Sequence, residues 1–254
     1  MNNWFIKGLQ AGVVTTRYPE REENAPGVSP GLPQSTAIDN ASGETLTLGC
    51  PTGALRTLNN RILVERSRCV HCFRCARGIE EPIPWETKYE WTTISGDTAV
   101  LPKAFQKSLH IRIVDAGDCG ACLNEIKLLN SPFYNMHRLG FFITPTPRNA
   151  DILLAVGPVT EHMKESLLKT YDAMPAPKRI MAVGACALNG GVFSSGFVTG
   201  TRLSDILPVD LEIPGCPPPP LAILHGLLVI AGRKQAGQPL HSDGRGEKEG
   251  GNKK

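Results

Sequence analysis

Leu109-His110-Ile111-Arg112-Ile113-Val114-Asp115-Ala116-Gly117-Asp118-Cys119-Gly120-Ala121-Cys122 is the stretch that decides the fold. An apolar, β-branched run at 109–114 stops at Asp115-Ala116-Gly117, and the spacing predicts a buried strand followed by a tight turn. Working outward, Gly140 to Thr144, Ile152 to Val156, Arg179 to Val183 and Leu211 to Ile213 read as four more short apolar strands. Helical periodicity is expected over Ile126 to Leu129 and Glu161 to Met174, and Pro217 opens a last helix that runs to Arg233. Continuous apolar strands alternating with helices predict a parallel, doubly wound α/β sheet over residues 108–234.

The chain upstream has a different texture. Trp4, Phe5, Ile6, Leu9, Val13 and Val14, with Lys7, Gln10 and Arg17 between them, predict a short amphipathic helix ending before Tyr18-Pro19. Pro19 to Pro33 reads as an extended arm, so residues 1–36 form a helix and arm that could dock on another surface. Residues 37–93 are short and turn-rich, and 94–107 read as a connector, which together give a small domain over 37–107. Residues 235–254 are mostly Gly, Lys, Glu and other polar types and are expected to be disordered.

Composition excludes several classes. With 27 Lys and Arg against 24 Asp and Glu the net charge is only +3, and no basic stripe interleaves with aromatics, so nucleic acid is not an expected partner. The longest apolar run, 221–232, falls short of the roughly 20 residues that span a bilayer. The N-terminus lacks the basic, apolar and cleavage-site order of an export signal and has no twin-Arg pair, which predicts a chain that is not exported. No Ser/His/Asp arrangement, G-x-G-x-x-G or P-loop appears, so no catalytic residue is assigned to this chain.

Eight cysteines remain, at 50, 69, 72, 75, 119, 122, 186 and 216. Without an export signal they read as metal or redox ligands rather than disulfides. They divide four and four around residue 100. Cys69-Val70-His71-Cys72-Phe73-Arg74-Cys75 is C-x2-C-x2-C, and Cys50-Pro51 supplies a remote C-P. Bacterial ferredoxins carry C-x2-C-x2-C-x3-C-P, with the fourth cysteine on the other cluster. Ferredoxin spacing would put the ligands of a second cluster at Asn40, Gly43, Leu46 and Ile79, none of which is a cysteine. The region therefore resembles a two-cluster ferredoxin reduced to one 4Fe–4S cluster on Cys50, Cys69, Cys72 and Cys75. The competing reading is a four-cysteine zinc site. His71 stands between ligands, either beside the cluster or as a solvated loop histidine.

Cys119, Cys122, Cys186 and Cys216 all fall just beyond the carboxyl ends of expected strands, where open α/β sheets bind ligands. Asp118-Cys119 to Ile126, Pro147 to Leu153, Gly184 to Gly191 and Pro214 to Pro218 resemble the small-subunit family of NiFe hydrogenases, which includes the complex I subunit that carries the terminal cluster. The resemblance implies a second 4Fe–4S cluster on those four cysteines, hence two in all. It also implies a fold that is α/β: a flavodoxin-like doubly wound parallel sheet with an N-terminal ferredoxin-like α+β domain. Separated rather than tandem cysteines at 119 and 122, and Pro219 in place of an Arg, favour the membrane-bound, energy-converting hydrogenases of formate hydrogenlyase type. Phe5 to Leu9 and Thr16 to Pro19 resemble the N-terminal arm of the ferredoxin-like subunit in such complexes, so the chain looks like two electron-wire subunits fused.

The function implied is an electron-transfer iron–sulfur oxidoreductase subunit, relaying electrons to or from a catalytic large subunit. Its implied partners are that hydrogenase-like or complex I-like large subunit, membrane-arm subunits, and a ferredoxin-type or dehydrogenase donor or acceptor. The implied location is peripheral, on the cytoplasmic side of the cell membrane. An equivalent subunit of a complex I-like quinone or ferredoxin oxidoreductase, and a zinc-bearing assembly scaffold, are the alternatives. Glu125 matches an acidic position of the family motif and is either a proton relay or a carboxylate favoured by the helix dipole. His225 reads as packing.

Overall fold

The computed structural model describes residues 3–77, 82–95, 99–193, 196–200 and 202–237. Ile79 and the tail from 238 onward, for which disorder is expected, lie outside the described residues. The N-terminal half contains α1 (Trp4–Ala11), β1 (Leu32–Pro33), β2 (Thr36–Ala37), α2 (Asn40–Gly49), β3 (Leu55–Leu58), β4 (Arg61–Val64), β5 (Trp85–Glu86) and β6 (Thr93–Ile94). The C-terminal half follows with β7 (Leu109–Asp115), α3 (Ala121–Leu128), β8 (Phe141–Ile143), β9 (Ile152–Val156), α4 (Glu161–Asp172), β10 (Arg179–Val183), α5 (Ala185–Asn189), β11 (Leu211–Ile213) and α6 (Pro220–Ile230).

The large sheet has the order β6-β11-β10-β9-β7-β8. Its last five strands pair in parallel, and β6 joins the edge antiparallel to β11. In chain order those five strands run 2-1-3-4-5, which is the flavodoxin-like doubly wound order. The order reverses between β7 and β9, and Cys119 lies in the turn at that switch point. β6 straddles the end of the stretch read as turn-rich and the start of the connector, so the N-terminal half contributes an edge strand to the large sheet.

Alternation along the strands divides the core. Ile152, Leu154 and Val156 pack with Met181, Val183, Ile213, Ile126 of α3 and the whole of α6. Leu153 and Ala155 face the other way, with Ile180, Ala182, Leu167 of α4 and Leu188 of α5. Every residue of α6 is buried. A helix apolar all round needs cover on both sides, and the N-terminal half supplies it: Tyr18, Leu32 and Trp91 belong to the same core cluster. Trp91 Nε1–H donates to Pro214 O at 3.0 Å, and Thr92 Oγ1–H to Ala222 O at 3.3 Å.

The first half is a small α+β unit with an antiparallel sheet ordered β2-β4-β3 and a separate β1-β5 ribbon. Asp39 caps α2, accepting from Ala41 N and Ser42 N. The expected arm is only partly free. Thr16 N donates to Phe133 O, Arg138 donates to Tyr18 O, and Leu32 is buried. α1 alone stands away, with Trp4, Phe5, Ile6 and Leu9 all exposed. Residues 235–237 are still in place, and Gly237 N donates to Thr92 O.

His225 is buried in α6, with Nε2–H donating to Gln235 O at 3.0 Å and Nδ1 3.0 Å from Thr92 Oγ1, whose one proton is shared between Nδ1 and Ala222 O, so packing is its role. Burial holds its pKa below the usual histidine value. The unfolded chain therefore binds this proton more readily, and stability falls as pH drops below about 6.5, the unperturbed value. Urea unfolding at pH 7.5 and 5.5 should show this loss, and His225→Gln should shrink it.

Candidate iron–sulfur ligand sites

Both cysteine sets are gathered by the fold. Cys50 closes α2 and donates its backbone N–H to Thr47 O, while a 3-10 turn at Arg66–Arg68 delivers Cys69. The loop from Cys69 to Cys75 then wraps a cavity of about 270 Å³ whose walls include all four thiols with Pro33, Leu46, Leu55, Phe73 and Trp85. His71 and Phe73 flank Cys72 at positive φ, 51° and 59°. Such φ values are uncommon for bulky side chains and cost of order 1–3 kcal/mol each. The loop adopts them in wrapping around the thiols. Ala54 N–H donates to Cys50 Sγ at 3.3 Å.

The second set lies at the carboxyl edge of the large sheet. Cys119 follows β7 and Cys216 follows β11, both in loops as expected. Cys122 and Cys186 instead stand on the first turns of α3 and α5. Asp118 Oδ2 accepts from Gly120 N at 3.0 Å and Leu123 N at 3.1 Å, while Asp115 Oδ1 accepts from Gly117 N and Asp118 N. The two carboxylates thereby shape the Cys119–Cys122 turn. An Asp-x-Gly pattern is an Asx-turn signal, and it is the cue in the sequence that marks Asp118.

The two sets share one pattern of burial: Cys69, Cys75, Cys122 and Cys186 buried, Cys50 and Cys216 intermediate, Cys72 and Cys119 exposed. Burial pushes the Cys69 thiol up to about 12, helped by the charges of Cys75, Cys72 and Cys50. Burial likewise pushes Cys186 up to about 12 and raises Cys122 and Cys216, with members of that set adding to the rise. The thiolate is the metal-binding form, and in neither set does a Lys or Arg appear among the causes that offset the rise. A bound cationic centre would reverse the shift by stabilising thiolate. Among the described residues no three His, Cys, Asp or Glu side chains converge closely enough for one metal ion.

Two buried N–H groups near the first set make no hydrogen bond within the protein. One is Trp85 Nε1. The other is His71 Nε2; its Nδ1 accepts the Cys216 N–H at 3.5 Å, so the ring proton sits on Nε2. Burial pulls His71 down to about 4. A buried donor left unpaired costs roughly 1–3 kcal/mol, and a sulfide-bearing group would satisfy such donors. His71 also ties the sites together, because it sits between Cys69 and Cys72 and contacts the backbone of Cys216. α5, which carries Cys186, packs on the Arg66–Arg68 turn. The two sets are therefore neighbours. Glu125 is partly buried one turn beyond Cys122, and burial raises its carboxyl.

The C-terminal half is also similar to known proteins. Residues 119–230 match the family described as the NADH ubiquinone oxidoreductase 20 kDa subunit. The probable membrane-bound hydrogenase subunit mbhJ of Pyrococcus furiosus is 41% identical over 131 residues, 52% of this chain and 78% of its own. Formate hydrogenlyase subunit 7 of Escherichia coli is 36% identical over 174 residues, covering 68% of this chain and 66% of its own. An NADH-quinone oxidoreductase subunit of Carboxydothermus hydrogenoformans is 37% identical over 110 residues, 43% of this chain and 66% of its own. The chain belongs to the NADH ubiquinone oxidoreductase 20 kDa subunit family, whose relatives include hydrogenase and quinone oxidoreductase subunits.

Gly184 tests the second set. Its φ is +91°, and an added Cβ would lie 2.5 Å from Cys122 Sγ, whereas Gly120 at φ +93° has nothing within 4 Å. Gly184 also sits at ψ 154°, a region that only glycine occupies readily, whereas Gly120 is left-handed at ψ −15°, so Gly184→Ala should cost about 1–3 kcal/mol more than Gly120→Ala through added backbone strain and overpacking against the sulfur. Chemical denaturation of the two variants checks this.

Proposed function

We propose that this chain is an electron-transfer iron–sulfur subunit of a membrane-associated oxidoreductase of the NiFe hydrogenase type. Cys50, Cys69, Cys72 and Cys75 hold one 4Fe–4S cluster, and Cys119, Cys122, Cys186 and Cys216 hold a second. The observation that carries this reading is the pair of neighbouring four-thiol sets, each with two buried thiols and one exposed, the second at the switch point of a family-matched sheet. Clusters supply one-electron redox chemistry at potentials set by hydrogen bonds to sulfur, net charge and burial.

The residues of this chain have distinct parts in that role. The eight cysteines bind. Asp115 and Asp118 set the turn between Cys119 and Cys122, and the apolar walls around Cys50 exclude water. Glu125 is the group near the second set placed to hold a proton. The exposed Cys72 and Cys119 mark where partners approach: a ferredoxin-type or dehydrogenase partner at one site and the catalytic large subunit at the other. The hydrogen- or quinone-reacting centre belongs to that large subunit, because all eight cysteines are used. A complex I-like oxidoreductase is the second reading, favoured by the match to the ubiquinone oxidoreductase family and to a quinone oxidoreductase relative.

Anaerobically purified protein should contain about eight iron and eight sulfide per chain, four of each per cluster. Cys72→Ala should remove one reduced-state EPR signal and leave the other. Near-zero iron with bound zinc would overturn the assignment.

The chain lies at the cytoplasmic face of the membrane, held by membrane-arm subunits. No helix among the described residues is long and apolar enough to cross a membrane. α1 presents Trp4, Phe5 and Leu9 to the outside with Lys7 beside them, a docking face too short for stable lipid binding alone. Deleting residues 2–12, which removes the exposed α1 and leaves Thr16 and Tyr18 in place, should shift the chain from the membrane fraction to the soluble fraction with both clusters intact. Retention at the wild-type level would refute the docking role.

A further inference from the structure

Trp85 belongs to no part of the ligand motif, yet its ring is fixed against the first cysteine set from several directions. Its backbone pairs with Pro33 in the β1-β5 ribbon, and Pro33 also lines the cavity. The indole stacks on Phe73 with ring centroids 4.4 Å apart and planes 22° apart. His71 meets it edge-on at 6.0 Å. Both of these partners come from the loop between Cys69 and Cys75, so ring and thiols move as one unit. Nε1–H is buried, makes no hydrogen bond within the protein and belongs to a residue lining the same cavity as the four thiols.

An indole nitrogen is a donor only. The walls of this cavity are otherwise mostly apolar side chains and cysteine sulfur. A donor fixed there is matched by electron-rich sulfur. Its interaction strengthens as negative charge on that sulfur grows, which happens when a cluster takes up an electron. A fixed N–H therefore stabilises the reduced form more than the oxidised form.

We propose that Trp85 is a potential-setting residue: its Nε1–H hydrogen-bonds a sulfur of the cluster held by Cys50, Cys69, Cys72 and Cys75 and raises that cluster's reduction potential. This rests on the two-cluster reading above. The consequence concerns direction, because raising the potential of the first centre makes it the readier electron acceptor from an outside donor. The stacking on Phe73 and the edge contact with His71 hold the N–H in place through both redox states.

Trp85→Phe keeps an aromatic ring against Phe73 and deletes the donor, together with the volume of one fused ring. In a potentiometric EPR titration of the purified full chain, the first centre should be harder to reduce by about tenfold in its equilibrium constant, ~59 mV for a one-electron couple. The second centre should not move, and iron content should stay at the wild-type value. An unchanged or raised potential of the first centre, with iron content intact, overturns the role of Trp85. Absence of a cluster on the first set in the wild-type chain would instead overturn the reading beneath it. A second measurement needs no variant. With indole-15N-tryptophan incorporated, the reduced first centre should show a 15N hyperfine coupling, because Trp91 Nε1 is already committed to Pro214 O and Trp4 stands exposed on α1. No such coupling would likewise refute the bond.

Discussion

Burial of α6 on every side is the constraint on which the rest of the structure depends. Eleven residues of helix with no solvent-facing stripe cannot be covered by the large sheet alone. The N-terminal half closes over the other side, through Tyr18, Leu32 and Trp91. Two halves of different texture thus become one packed body, and their arrangement is fixed by apolar area rather than by a few polar links. Gly226 shows how close the contact is, since an added Cβ would meet Ile213, Met181 and Leu211 side-chain atoms at 3.0 Å or less. With α6 clamped, the loops at the carboxyl edge of the sheet face the Cys69–Cys75 loop, and His71 reaches the backbone of Cys216.

Against that scaffold the cysteines are costly. Four are buried, and burial works against their charged form. A fold that gathers like-charging groups into largely apolar surroundings gains from a cationic centre that converts them all to thiolate. Asp118 sharpens this. It lies beside the second set and raises Cys122, Cys186 and Cys216 further. The same carboxylate holds the turn in shape through Gly120 and Leu123, so its structural and electrostatic effects come together. The first set has Trp85 and His71 as nearby N–H groups instead, and an electrostatic difference between the two proposed clusters is built into their surroundings.

Much of this was legible in the sequence, for a physical reason. β9 and all of β10 after Arg179 are apolar runs ended by glycine, and β11 is closed by Pro214, so their limits followed from composition, and the parallel sheet followed from their alternation with helices. Cysteine spacing separated the two sets. What stayed hidden was nonlocal or ambiguous in period. Gly120-Ala121-Cys122 and Ala185-Cys186-Ala187 read as loops because small residues carry no helical stripe, yet both begin helices. Thr93 and Ile94 straddled the end of a turn-rich stretch and the start of a connector, because a two-residue strand has no periodicity of its own. Trp85 gave no local signal and His71 was marked only by its place between ligands, since their roles come from Cys216 and from the packing of a loop around thiols. The arm at 19–33 read as plain extended chain because the groups that hold it, at Trp85, Lys88 and Tyr89, lie more than fifty residues further on.

The central claim is that the two cysteine sets form a short electron relay inside one rigid chain. The contact of His71 with Cys216 and the packing of α5 on the Arg66–Arg68 turn require the two proposed centres to be close. The most direct test is EPR on the anaerobically purified chain, poised first at partial and then at full reduction. Two centres this close should interact magnetically, so the signal seen at partial reduction should broaden and split when both are reduced. Two signals that simply add, with no mutual broadening at full reduction, would contradict the account.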